Sequence, residues 1–266
     1  MLVGVIHLPP LPGSPRVDPR GRHGGVHGVM DRIVEGVRRD VDALARARFD
    51  AVVVENFGDA PFEPGAVSPI TVAALSVCVR AAVDDGRLTV GVNVLRNDVR
   101  SALAIAAAAG ASIVRVNVHV GAVVADQGII EGRAHETMRE RVAWGAERVA
   151  VWADVDVKHA APLGRRPVEE ITKDAVLRGL ADAVLVTGAA TGAKVDGEAL
   201  AKVRSATRAP IYVASGAVPD DLPRLREHGA DGVIVGSWLR RGGKAGGPID
   251  RARAASFAKS FRRAFA

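Results

Sequence analysis

The chain has 266 residues, 48% of them hydrophobic and 25% charged, ordinary values for a globular protein able to bury a large core. One cysteine, Cys78, excludes an internal disulfide framework and a thiolate zinc cluster. The net charge of +6 comes without a Lys/Arg run interleaved with aromatics, so no nucleic-acid partner is expected, and no apolar stretch approaches the roughly 20 residues of a membrane span.

In chain order, short Val/Ile-rich runs alternate with longer amphipathic segments. Val3–Leu8 leads into a proline-rich turn, Pro9-Pro10-Leu11-Pro12-Gly13, and a helical pattern over Asp31–Arg48. Ala51–Asn56 precedes a helix over Pro69–Asp84, whose apolar run makes Cys78 a buried thiol rather than a nucleophile. Thr89–Leu95 precedes Asp98–Ala109, Ser112–His119 precedes Ala134–Glu147, and Val149–Lys158 precedes Pro167–Arg178. Ala183–Gly188, Pro210–Gly216 and Gly232–Ser237 precede Asp196–Thr207, Asp220–Glu227 and Asp250–Ala264.

Asp98, Asp196, Asp220 and Asp250 stand at N-cap positions, and Gly110 and Gly229 at helix ends. Eight strand–helix units in one chain, with no linker or composition break, predict a single (β/α)₈ barrel, a TIM barrel, over 1–266. The runner-up, a doubly wound open sheet, would carry a glycine-rich fingerprint after the first strand, where this chain has prolines. Two long strand-to-helix loops, Pro9–Met30 and Val120–Arg133, are candidate lids on the active face.

Alternation within the strands locates a candidate site. In the fourth strand Val114, Val116 and Val118 share one face, and Arg115, Asn117 and His119 the other. In the fifth, Val151, Ala153, Val155 and Val157 alternate with Trp152, Asp154, Asp156 and Lys158. The apolar face should meet the helices, which aims the polar face into the barrel. Glu55, Asn93, Thr187, Ser215, Ser237 and His7 stand near the C-terminal ends of other strands, where barrels carry their catalytic groups.

Burying so many polar groups costs free energy unless they pair with one another or with a ligand. The candidate catalytic set is therefore Lys158, Asp156, Asp154, Asn93, Glu55, Asn117, Arg115 and His7. Carboxylates beside Lys158 favour its ammonium form, so it reads as an acid or oxyanion stabiliser, with Asp156 as base or orienter. For Arg115, Asn117 and Asp154 a structural network inside the barrel is an equal reading. No cofactor is firmly implied and no metal motif occurs; a magnesium ion on Asp154, Asp156 and Glu55 is the minority option.

The seventh and eighth strands end in Ser215-Gly216 and Gly236-Ser237. Many barrels bind phosphate there through backbone N–H groups, so Ser215, Gly216, Gly236, Ser237, Thr187 and Gly188 are candidate phosphate contacts. A small phosphate ester is the expected partner. The stretch Thr187–Lys194 departs from P-loop spacing, and Lys194 reads as a loop cation.

Several long blocks resemble the BtpA family: His7–Pro15, Glu55–Phe62, Gly91–Asp98, Arg115–Val118, Asp126–Gly132, Ala153–His159 and Ser215-Gly216. The resemblance spans essentially the whole chain. It implies a ribulose-phosphate-binding type of barrel and supplies no agreed substrate. It also raises a role in photosystem-type membrane-complex biogenesis, with peripheral membrane association, and more weakly nucleotide hydrolysis. Phe257, Phe261 and Phe265 recur every four residues in the basic last helix and read as a face packed on the barrel rather than a membrane anchor. An enzyme of isomerase, epimerase or lyase type in the cytoplasm is the leading expectation, with a homo-oligomer as an option no specific patch supports.

Overall fold

The computed structural model describes residues 1–17, 25–155, 160–164, 166–188, 196–214 and 216–266. Eight parallel strands close into a barrel: β1 (Leu2–His7), β2 (Ala51–Glu55), β3 (Thr89–Asn93), β4 (Ile113–Val116), β7 (Ala150–Asp154), β9 (Ala183–Val186), β10 (Ile211–Val213) and β11 (Gly232–Val235). The ring closes where Leu2, Val3 and Gly4 of β1 pair with Val233, Ile234 and Val235 of β11. Every predicted strand is present, and β1, β2, β3, β4, β9 and β11 end one to three residues before their predicted ends, where the chain leaves the ladder to form the mouth.

The helices are α1 (Gly25–Arg46), α2 (Pro69–Val83), α3 (Val99–Ala109), α4 (Ala134–Ala143), α5 (Val168–Lys173), α6 (Gly197–Ala206), α7 (Leu222–Glu227) and α8 (Arg251–Ala264). A π-helical turn, Asp174–Arg178, continues α5. Helix α1 begins six residues before the predicted start, because glycines at positions 25 and 28 weaken the local helix signal. Asp98, Asp196 and Asp250 cap their helices through N–H groups of Ser101, Glu198, Ala252 and Arg253. Asp220 does not: Pro219–Asp221 form a 3₁₀ turn that runs into α7, and no side chain caps it. Gly110 and Gly229 adopt the left-handed backbone expected of helix ends.

Strand alternation sorts the core into two shells. Outward-facing Val52, Val92, Val114, Val151 and Val184 pack with Leu44, Leu75, Leu103, Leu200 and Phe257 of the helices. Inward-facing Val3, Val53, Ile113, Trp152, Leu185, Tyr212 and Ile234 fill the lower barrel, where the Trp152 and Tyr212 rings lie 4.6 Å apart. Phe257 and Phe261 are fully buried and Phe261 stacks on Phe265 at 4.4 Å, so the aromatic stripe of α8 is a packing face. Cys78 is buried too, and burial pushes its thiol up to about 12. No helix among the described residues is long and apolar enough to cross a membrane.

One element was not legible in advance. The segment read as a loop over 120–133 contains β5 (Ala122–Ala125) and β6 (Gly128–Glu131), which pair as an antiparallel hairpin. Strand β8 (Ala160–Pro162) joins the other side of β5. Only Ile130 of the hairpin is buried, so its residues lack the alternation that a half-buried strand shows. The base of the hairpin is pinned by Gly132 N–H to the Gly121 carbonyl at 2.7 Å and Ala134 N–H to the His119 carbonyl at 3.1 Å.

Candidate active site at the barrel mouth

A cavity of about 420 Å³ opens at the C-terminal ends of the strands. Its polar floor is His7, Glu55, Asn93, Arg115 and Asn117, all placed by the final inward-facing positions of β1 to β4 and the residues just beyond. Phe57, Phe62, Leu95 and Trp238 add an apolar wall, and Gly216, Gly236 and Ser237 line the side beside β10 and β11. Three of the proposed phosphate contacts thus open into the same space as five of the proposed catalytic residues.

The floor is one connected network. Arg115 grips Asp154 with two bonds, Nε to Oδ1 at 3.1 Å and Nη2 to Oδ2 at 3.0 Å. Asn117 Nδ2 donates to the same Oδ2 at 2.9 Å. The remaining nitrogen, Arg115 Nη1, lies 4.0 Å from Glu55 Oε2, and that oxygen accepts from Asn93 Nδ2 at 3.0 Å. Burial works against the Arg115 charge, but Asp154 and then Glu55 outweigh it and hold the guanidinium above its ordinary value. Arg115 is a permanent cation in the floor.

His7 completes the floor. Its Nδ1 accepts from the Gly246 N–H at 3.1 Å, which leaves the proton of the neutral ring on Nε2. That nitrogen lies 3.7 Å from Glu55 Oε1, and the ring stands 4.5 Å from Phe57. A Cβ at Gly236 would lie 3.0 Å from His7 Cε1, so glycine there lets the last turn of β11 approach the imidazole. Gly216 takes φ +66, a conformation that bends the chain out of β10 at little steric cost.

Asp154, Thr187 and Gly188 are buried and do not line the cavity. Asp154 sits beneath it, with its carboxylate engaged by Arg115 and Asn117. Among the described residues no three His, Cys, Asp or Glu side chains converge as a metal cluster. Asp156, Lys158, Ser215 and Lys194 lie outside the described residues. His119 departs from the expected inward face. Strand β4 ends at Val116, the alternation lapses, and the His119 ring instead donates from Nε2 to the Gly179 carbonyl at 2.8 Å.

Sequence reasoning missed three contributors. Arg96 lines the cavity beside Leu95, and burial lowers its pKa against the pull of Asp154 and Asp126. The aromatic wall comes from separate strand-to-helix connections, and Arg253 backs Trp238 with its guanidinium 4.3 Å from the ring. Arg240, fully buried, donates to the carbonyls of Gly236 at 2.6 Å, Val5 at 3.0 Å and Gly247 at 3.1 Å. It thereby ties the ends of β1 and β11 to the loop that supplies Gly246, and burial lowers its pKa to about 10.

The architecture and mouth define a closed (β/α)₈ barrel with a charged, partly aromatic cavity at its C-terminal face. The chain belongs to the BtpA family, whose sequence profile matches residues 1–263. It is 45% identical to an uncharacterized protein of Thermococcus kodakarensis, over 95% of this chain and 92% of that one. It is 40% identical to the photosystem I biogenesis protein BtpA of Synechocystis, over 96% and 86% of the two chains. In fold it is similar to 3-hexulose-6-phosphate synthase, with a TM-score of 0.59 at 19% identity over all of both chains. It is also similar to thiamine phosphate pyrophosphorylase from Pyrococcus furiosus, with a TM-score of 0.60 at 15% identity over 100% of this chain and 97% of that one.

Proposed function

We propose that this protein is an enzyme that moves a proton on a small phosphorylated sugar or related phosphate ester, in isomerase, epimerase or lyase chemistry. One observation carries the reading: the glycine-bearing ends of β10 and β11 open into the same cavity as Glu55, His7 and Arg115. The turn N–H groups around Gly216 and Gly236-Ser237 hold the phosphate, as such turns do in many barrels. The other end of the substrate then reaches the floor. Glu55 takes a proton from the carbon beside a carbonyl, and the electron pair moves onto the carbonyl oxygen. Arg115 Nη1 and the His7 Nε2 proton stabilise that oxyanion. Asp156 and Lys158 keep the orienting and acidic roles their place in the sequence gives them. The phosphorylated molecules in the names of the two similar barrels fit this class of ligand.

A thermal-shift screen against phosphosugars, nucleotides, inorganic phosphate and uncharged analogues tests the ligand class. A ligand at 100 times its Kd stabilises the fold by about 2.7 kcal/mol. On a substrate found this way, Glu55→Gln should lower kcat by about 10²- to 10⁴-fold. Unchanged turnover in that variant would remove Glu55 from the chemistry. Phosphate release from nucleoside triphosphates with magnesium would instead favour a nucleotide hydrolase.

The name of the Synechocystis relative favours a second reading, a non-enzymatic factor in the biogenesis of a membrane complex. The packed aromatic stripe of α8 offers that reading no anchor. Binding of the full chain to anionic liposomes at low salt would revive it.

A further inference from the structure

Within the floor, a buried oxygen of Asn117 has no hydrogen-bond partner among the described residues. Asn117 is 5% exposed and lines the cavity. Its Nδ2 donates to Asp154, and its Oδ1 receives no hydrogen bond from any described residue. Turning the amide over does not resolve this, because Oδ1 would then face the Asp154 carboxylate at 2.9 Å, acceptor against acceptor. The acceptor is therefore fixed in place by Asp154, which Arg115 fixes in turn. A buried acceptor left unmet costs about 1–3 kcal/mol, and a ligand that supplies a donor recovers it.

The surroundings narrow the donor. Arg115 is a buried cation one inward-facing position below Asn117, and Arg96 lines the same cavity. The carboxylates of the floor are already engaged, Asp154 by Arg115 and Asn117 and Glu55 by Asn93, while Arg96 adds a cation to the same cavity, so a neutral hydroxyl suits the Asn117 acceptor better than an ammonium group. Arg115 Nη1, the nitrogen that Asp154 does not use, is a donor for the oxygen of an adjacent carbonyl. An acceptor and a donor on neighbouring inward positions of one strand match a hydroxyl and a carbonyl on neighbouring carbons.

We propose that Asn117 is a specificity-determining residue whose Oδ1 accepts from a hydroxyl beside the reacting carbonyl, selecting α-hydroxycarbonyl sugar phosphates over their deoxy and amino analogues. The proposal rests on the reading of the mouth as a phosphate-ester site and adds which end of the ester lies deepest. It gives Asn117 a role in choosing the substrate, while Glu55 and His7 act on it.

The test is titration of the purified full chain, wild type and Asn117→Leu, by calorimetry. The probes are ribose 5-phosphate against 2-deoxyribose 5-phosphate, and glucose 6-phosphate against 2-deoxyglucose 6-phosphate and glucosamine 6-phosphate. Inorganic phosphate is the common control, and Asn117→Ala serves if the leucine variant does not fold. In the wild type at least one hydroxylated probe should bind about 10- to 100-fold tighter than its deoxy and amino partners. In the variant that ratio should fall to within about threefold, through loss of the hydroxylated probe. A ratio near one in the wild type, or one that persists in the variant, overturns the assignment. If inorganic phosphate binds and none of the sugar phosphates does, the Asn117 proposal falls and the phosphate site stands. If inorganic phosphate fails as well, both fall.

Discussion

The upper and lower layers of the barrel interior lie two residues apart on the same strands, yet they follow opposite rules. Val53 is succeeded by Glu55, Ile113 by Arg115, and Trp152 by Asp154. The lower layer is a plug of Val, Ile, Leu, Trp and Tyr that contributes stability by burying apolar surface. The upper layer buries Glu55, Asn93, Arg115, Asn117 and Asp154, groups whose desolvation apolar side chains would avoid. The cost is offset inside the layer, because Asp154 meets Arg115 and Asn117, and Glu55 meets Asn93. The stability of the upper layer is therefore conditional on each partner being in place, whereas that of the plug follows the apolar area it buries.

The largest expected effect tests that conditionality. Arg115→Met leaves the Asp154 carboxylate buried with Asn117 as its described hydrogen-bond donor. The Arg115 and Asp154 side chains are only 5% and 1% exposed, so the loss should be about 3–5 kcal/mol in urea denaturation. The double variant Arg115→Met/Asp154→Leu should recover most of it, since two apolar side chains of similar volume need no partner. Failure of the double variant to recover would mean that the pair does more than satisfy itself. Next in size is the lower layer. Ile113→Ala should cost about 2–5 kcal/mol and leave the affinity for a bound phosphate ester unchanged, because Ile113 does not line the cavity. A matching loss of affinity would show that the two layers are mechanically coupled.

The two layers were not equally legible. Alternation gave the eight strands and put Arg115, Asn117 and Asp154 on the inward side, because a period of two is a local property of each strand. It could not tell Asp154, beneath the floor, from Asn117, facing the cavity, since both share one face and differ only in what crosses from neighbouring strands. Arg240 carried no local signal at all: its contact with Val5 spans 235 positions, and it looks like any surface arginine of a basic chain. The aromatic wall was invisible for the same reason, with Phe57 and Trp238 in single 3₁₀ turns and Phe62 in a loop, whose geometry no periodicity encodes. The hairpin of β5 and β6 was missed because a sheet with only Ile130 buried shows little pattern.

His119 marks where strand logic ends, and it supplies the smallest and cleanest prediction. Alternation from Arg115 and Asn117 assigns it to the upper layer, but its ring binds Gly179 and does not line the cavity. Burial lowers its pKa from 6.5, against the opposing pull of the Gly179 carbonyl and of Asp182. The folded state therefore favours the neutral ring, while the unfolded chain takes up a proton below 6.5. Stability from this group is present above pH 6.5 and is lost as pH falls through the window between that value and the lower folded one. The slope cannot exceed about 1.4 kcal/mol per pH unit for one proton. His119→Gln should flatten the dependence of urea-denaturation stability on pH in that window and leave the affinity for a phosphate ester at pH 8 unchanged. If the substitution shifts ligand affinity instead, the ring belongs to the floor after all, and the boundary between the conditional layer and its surroundings lies further out along β4 than its last ladder residue.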